Sequence, residues 1–255
     1  YSALKRVKVR DLGSLDDEAL VERILREPQV LSIVNTRRHA RVLFERIEKH
    51  EGAVHLSAAM CPAHRSTVLA DIRERLARGE PCRVIATQLV EAGVDVDFPV
   101  VFRSLAGLDA IAQAAGRCNR NGRLATGAAF VFRSEHQDSE RFLRETTQVA
   151  GQLMGGGPTA PLFDDLLSPE AVERYFRLYY WSQQSRWDEK KIIGDTSLAN
   201  REDLPFLFSF RSISERFRLI EDSGQPVIVP WQDGGQALCD RLRFTKGLPD
   251  TRLLR

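Results

Sequence analysis

The sequence predicts an α/β fold, a parallel sheet with helices on both faces, and two observations carry that prediction. A short, mostly β-branched continuous run at Val30, Leu31, Ile33 and Val34 is expected of a parallel strand buried on both faces, and further short strands read at Ala53 to Leu56, Arg83 to Ala86, Val100 to Phe102 and Ala128 to Phe132. Between these runs, apolar residues recur at helical spacing. Strand and helix therefore alternate, which implies right-handed crossovers and places ligands at the carboxyl ends of the strands.

The first helix, Asp16 to Arg26, carries Ala19, Leu20, Ile24 and Leu25, and Pro28 punctuates its end. The second has its stripe at Ala40, Leu43, Phe44 and Ile47, spaced i, i+3, i+4, i+7. Pro62 opens the third, with Val68, Leu69, Ile72 and Leu76 inward, and the fourth runs from about Asp109 to Arg117. Gly155, Gly156, Gly157 and Pro158 continue neither helix nor strand and read as a linker. Ser168, Pro169 and Glu170 then start a new helix, with serine as N-cap and an acid facing the dipole. Its aromatics, Tyr175, Phe176, Tyr179, Tyr180 and Trp181, with Trp187 beyond, are expected to pack on the sheet domain, base stacking being the alternative. Residues 205 to 255 hold only short apolar runs such as Val227 to Val229 and are expected to form a small β-containing or mixed region. The expected organisation is a sheet domain over 1–150, a linker with the aromatic helix over 151–200, and a partial accessory domain over 201–255.

At 255 residues the chain can bury a full core, and 43% hydrophobic with 28% charged content is that of an ordinary globular protein. It has no apolar run of the ~18 residues a membrane span needs, and cytoplasmic residence is the expectation. The opening Tyr1-Ser2-Ala3-Leu4-Lys5 lacks a methionine and is expected of the middle of a longer polypeptide. Cys61, Cys82, Cys118 and Cys239 form no C-x-x-C pair, and the five histidines show no metal-ligand spacing, so linear spacing assigns no metal site. A net charge of +2 confines any nucleic-acid site to a local patch. Basic residues cluster at Lys5, Arg6, Lys8 and Arg10 and at Arg37, Arg38, His39 and Arg41; solvated helix and linker faces account for each cluster taken singly.

The most informative stretch is Gln113-Ala114-Ala115-Gly116-Arg117-Cys118-Asn119-Arg120, of the form Q-x-x-G-R-x-x-R. Two arginines three apart are expected on one helical face, and fixed guanidinium groups suit the charge of a triphosphate arriving from a partner domain. A surface salt-bridge pair is the alternative for the octet alone. Directly after the Arg83 to Ala86 strand stands Thr87-Gln88-Leu89-Val90-Glu91-Ala92-Gly93-Val94-Asp95. There a strand-end threonine offers a hydroxyl to a phosphate, Gly93 permits a turn, and Asp95 can accept a ribose hydroxyl. Asn35 and Thr36 follow another strand end with small polar donors.

These three segments resemble motifs IV, V and VI of superfamily 2 helicases, in order, over about residues 28 to 133. The resemblance implies a RecA-like lobe in which Arg117 and Arg120 are the motif VI arginines, the second an arginine finger, while Gln113 makes interdomain hydrogen bonds. It further implies ATP-binding roles for Gly93, Asp95 and Gly116, and contacts from Asn35, Thr36, Ser57, Thr87 and Gln88 to the backbone of single-stranded DNA. The variant Q-A-A-G-R-C-N-R-N-G, the form Val90-Glu91-Ala92-Gly93-Val94-Asp95, and His55-Leu56-Ser57-Ala58-Ala59-Met60-Cys61-Pro62 are similar to the helicase-nuclease of type I CRISPR systems. So are Ser168 to Lys191 and the stretch from Phe210-Arg211 to Pro226-Val227-Ile228-Val229-Pro230. The implied partners are a first motor domain and a nuclease domain of the same protein, and an RNA-guided surveillance complex. The implied cofactors are ATP and Mg2+, held mainly by the first motor domain.

No G-x-x-x-x-G-K-[ST] and no Gly-Lys dipeptide occurs, so the chain alone is expected not to hydrolyse ATP. Asp17-Glu18-Ala19 follows Gly13 and Ser14 rather than a buried strand, and reads as a helix start, not an acidic magnesium box. A DNA-repair or remodelling helicase, or a non-catalytic RecA-like regulator, would carry the same octet; an upstream phosphate-binding loop with a His-Asp nuclease distinguishes the CRISPR reading from both.

Overall fold

The computed structural model describes residues 6–136, 141–155, 162–192, 210–217 and 227–244. The chain divides into two compact units, Tyr1–Leu178 and Tyr179–Arg255. The first is built on a six-stranded sheet, entirely parallel, in which β1 (Val7–Leu15), β6 (Gly127–Ser134), β5 (Val100–Ser104), β2 (Gln29–Ile33), β4 (Cys82–Ala86) and β3 (Ala53–Leu56) lie side by side in that order.

Burial on both faces explains why the strands read as near-continuous apolar runs. Leu31 and Ile33 of β2, Val84 and Ala86 of β4 and Val101 of β5 enter one core. Their chain neighbours Val30, Ile85 and Phe102 enter the other. The first core is closed by Ile72 of α3 (Pro62–Arg78) and Ala114 of α4 (Leu108–Ala115). The second is closed by Leu20 and Ile24 of α1 (Asp17–Arg26) and by Leu43 and Ile47 of α2 (Arg37–Ile47). Local signals set the boundaries. Asp16 caps α1 by accepting from Ala19 N (2.8 Å), Thr36 caps α2 by accepting from His39 N (3.1 Å), and Pro62 occupies the first turn of α3.

Two elements differ from the sequence reading. Of the basic cluster before Asp11, Lys8 and Arg10 lie on strand β1, not on a helix or linker, with Arg6 just before it; these three are exposed while Val7 and Val9 are half-buried. β1 is an edge strand, and outward charges there discourage pairing with another chain. Helix α5 (Arg141–Met154) stands just before the expected linker and buries Val149, Ala150 and Leu153.

Helix α6 (Pro169–Ser182) starts as expected, Ser168 Oγ accepting from Ala171 N (3.2 Å). Tyr175 is buried with its hydroxyl beside Gly107, whereas Trp181 and Trp187 are exposed, so the expected aromatic packing holds for Tyr175 and not for the tryptophans. Of the second unit, the described part holds helices Phe210–Arg216 and Gln232–Phe244. Val227 to Val229 form no strand, which corrects the β-containing expectation for the described residues. Gly156 to Pro158 and much of 201–255 lie outside the described residues. No helix among the described residues is long and apolar enough to cross a membrane.

Gly52, between α2 and β3, has φ +73, and a Cβ there would lie 2.3 Å from Pro81 O. Gly79 has φ +72 but open space around it. Gly79→Ala is expected to cost only the left-handed backbone, ~1–2 kcal/mol. Gly52→Ala adds a backbone clash, and urea unfolding should give it the lower midpoint of the two; equal midpoints would mean the β3 approach relaxes freely.

Candidate functional site

Because β2, β4 and β3 are adjacent and parallel, their carboxyl ends share one edge of the sheet. That edge gathers Asn35 and Thr36 after β2, Ser57 after β3, and Thr87 and Gln88 after β4. Linear order alone only suggested this cleft. Ser57 and Thr87 are buried; Asn35, Thr36 and Gln88 are half-buried. Their hydrogen bonds tie the edge together: Gln88 Nε2 donates to Asn35 O (3.0 Å), Asn35 Nδ2 to Leu105 O (2.9 Å), and Thr87 N to Leu56 O (3.3 Å). Thr36 Oγ1 accepts from His39 N and retains its own proton to donate.

Beneath this edge lies an ion pair the sequence reading did not assign. Arg103 at the end of β5 meets Glu91 at 2.6 Å, and their side chains are only 2% and 8% exposed. Arg103 Nη1 also donates to Asn35 Oδ1 (2.5 Å) and Ser104 O (2.8 Å), so one guanidinium joins the Glu91 loop to the Asn35 loop. Burial pushes the Glu91 carboxyl above the usual carboxylate range, against the pull of Arg103.

The octet folds differently from expectation. Helix α4 ends at Ala115 with Gly116 as its cap, so Arg117 and Arg120 lie in the turns beyond the helix and do not share a helical face. The two arginines consequently do different things. Arg117 is buried, its Nε donating to Val90 O (2.9 Å) and its Nη2 to Glu91 O (2.5 Å). Burial, then the charge of Arg120, lower its guanidinium pKa. Arg120 reaches outward, with Nε 3.1 Å from Asp95 Oδ1 and side chains 44% and 78% exposed. Asn119 and Asp97 aim it. Asn119 sits at φ 45, a left-handed conformation asparagine tolerates, and bonds Arg6 O and Leu124 O; Asp97 accepts from Arg120 N (2.7 Å) and Asn121 N (3.2 Å). The Asn119-Arg120-Asn121-Gly122 run is turn chemistry that could have signalled this loop. Gly93 (φ +70) turns in open space beside Asp95, and Gln113 and Gly116 are exposed.

Two of the four thiols, Cys82 and Cys118, are buried. Burial pushes Cys82 up to about 11 and Cys118 up to about 12, leaving both protonated at neutral pH.

Residues 26–123 match the family model described as CRISPR-associated nuclease/helicase Cas3, C-terminal. Over 55 residues the chain is 51% identical to the CRISPR-associated nuclease/helicase Cas3 of Haloferax volcanii, an alignment spanning 21% of this chain and 6% of that protein. The crystal structure of T. fusca Cas3-ATP is similar with a TM-score of 0.50 and 19% identity, over 71% of this chain and 24% of that one. A crystal structure of a CRISPR-associated protein is similar with a TM-score of 0.52 and 18% identity, over 93% of this chain and 30% of that one. The chain thus spans a minor part of each relative, and at these identities the superpositions establish the fold. The six-stranded parallel sheet with its helices is the RecA-like α/β fold of these structures. Its motif-bearing segment, residues 26–123, is similar to the C-terminal part of the Cas3 nuclease/helicase family.

Proposed function

We propose that this chain is the second motor lobe of a CRISPR-associated, ATP-dependent translocase that draws single-stranded DNA in antiviral defence. The observation that carries the proposal is the split of the octet: Arg117 staples the Val90-Glu91 turn, while Arg120 stands exposed beside Asp95. An outward guanidinium fixed from behind suits a phosphate brought by another domain.

The residues present fit half of an ATP site. Asp95 offers an exposed carboxylate for a ribose hydroxyl, the open turn at Gly93 lets the nucleotide approach, and Gly116 presents backbone without a side chain. Gln113 faces outward, where it would bond the opposing lobe. When bound, ATP supplies the phosphoryl group whose transfer drives movement; the first lobe would hold most of it, with Mg2+. In this reading Arg117 is a positioning residue and Arg120 the catalytic one, released from Asp95 as the lobes close. The chain alone would hydrolyse nothing.

The strand-end edge would track DNA phosphates through Thr36, Gln88 and backbone amides, with Asn35, Ser57 and Thr87 shaping the loops. Such contacts read no bases. The wider partners in this reading are the nuclease domain of the same protein and an RNA-guided surveillance complex, in the cytoplasm.

Half a groove contacts few phosphates, so the chain should bind single-stranded oligonucleotides weakly. With about three phosphate contacts, affinity should fall roughly 20-fold between ~50 and ~200 mM salt, from a slope of ~0.7 per contact. Fluorescence anisotropy measures it; tight binding insensitive to salt would argue against a phosphate-tracking edge.

A further inference from the structure

Asp17, His39 and His136 converge at the carboxyl edge of the sheet from three separate segments: the first turn of α1, the first turn of α2, and the chain just after β6. Their candidate ligand atoms all lie within 4.8 Å of one another. His39 Nε2 is 2.8 Å from Asp17 Oδ1, His136 Nε2 is 3.1 Å from Asp17 Oδ2, and the two rings stack with centroids 4.0 Å apart. We propose that this cluster is a divalent transition-metal site of the zinc class, with one carboxylate oxygen and two imidazole nitrogens as ligands.

Ligands at ~2.0–2.2 Å from a tetrahedral ion sit a little over 3 Å apart, which the observed spacings approach with small side-chain movements. Two imidazoles and one carboxylate are borderline donors that favour zinc over magnesium or calcium. Three protein ligands leave a fourth position to water or an anion. His136 also lines a cleft of about 360 Å³ with Asn35, Arg133 and Arg144, which provides an entry path. Arg46 opposes the ion, its Nη2 lying 3.7 Å from Asp17 Oδ2, but its half-exposed side chain is able to swing into water. The ion would clamp α1, α2 and the end of β6 beside the strand-end edge.

The test is titration of the chain with Co2+, which absorbs in the visible when bound by nitrogen and oxygen, followed by displacement with Zn2+. One Co2+ per chain, displaced by Zn2+, with a melting temperature raised by Zn2+, is expected. His136→Ala keeps buried His39 and Asp17 and should melt like the parent without metal, yet bind at least ~100-fold more weakly, a loss no smaller than second-shell changes produce. Absence of saturable binding, or equal binding by His136→Ala, would overturn the proposal and leave the cluster a hydrogen-bond network. Should His136→Ala unfold, His136→Gln serves in its place: retained Co2+ absorption in that variant would equally overturn it.

Discussion

Glu91→Ala is expected to destabilise the chain by about 3–5 kcal/mol, because it strands the Arg103 guanidinium in the interior without its counter-charge. For a unit of this size that is a drop on the order of 10 °C in melting temperature. The remaining bonds from Arg103, to Asn35 Oδ1 and Ser104 O, satisfy donors but not charge. The paired replacement Glu91→Leu with Arg103→Met should recover most of the loss, since a buried ion pair and a well-packed apolar pair are often of similar stability. Recovery of the fold should not recover function: without Arg103 the Asn35 loop loses its tie to the Glu91 loop, and DNA stimulation of ATP turnover in the full protein should remain low. Calorimetry of the single and double variants gives the first result and steady-state ATPase the second. An unchanged melting temperature for Glu91→Ala would show that the pair is not what holds the two loops.

The sheet was legible in the sequence wherever burial on both faces made a strand a continuous apolar run, as at Val30 to Val34 and Arg83 to Ala86. β1 was hidden because its outward positions carry charge, and Val7-Lys8-Val9-Arg10 read as a basic cluster although its period-2 alternation is that of an edge strand. Motif order brought Asn35, Thr36, Ser57, Thr87 and Gln88 to one sheet edge. It left the roles of the two octet arginines undivided, because helical spacing was extended across Gly116, where the helix ends. Tertiary pairs were beyond any linear reading. Glu91 sits in the loop after β4 and Arg103 on strand β5, and Asp17 lies 22 residues from His39 and 119 from His136. Neither constellation has a motif spacing, since the fold and not the chain brings its members together.

The proposed function rests most heavily on Arg120. An arginine finger is worth about 10³ to 10⁵ in rate, or roughly 4–7 kcal/mol at ~1.4 kcal/mol per tenfold. Arg120→Lys keeps a charge but loses the planar fork, so it should fall close to Arg120→Ala in turnover, while ATP affinity, held mainly by the first lobe, changes far less. The resting structure offers a control for stability. Among the described residues the Arg120 side chain pairs with Asp95 on an exposed surface, which contributes at most about 1 kcal/mol, so either variant of this chain should melt near the parent. Arg117→Ala contrasts with this, because it leaves the carbonyls of Val90 and Glu91 without their buried donor and should cost roughly 1–3 kcal/mol. Single-turnover ATP hydrolysis by the full-length protein with single-stranded DNA, comparing the parent with Arg120→Ala and Arg120→Lys, is the most direct measurement. The account predicts that both variants bind ATP and lose at least ~10³-fold in the hydrolysis step; near-normal hydrolysis by Arg120→Ala would contradict it and leave Arg120 as no more than the surface partner of Asp95.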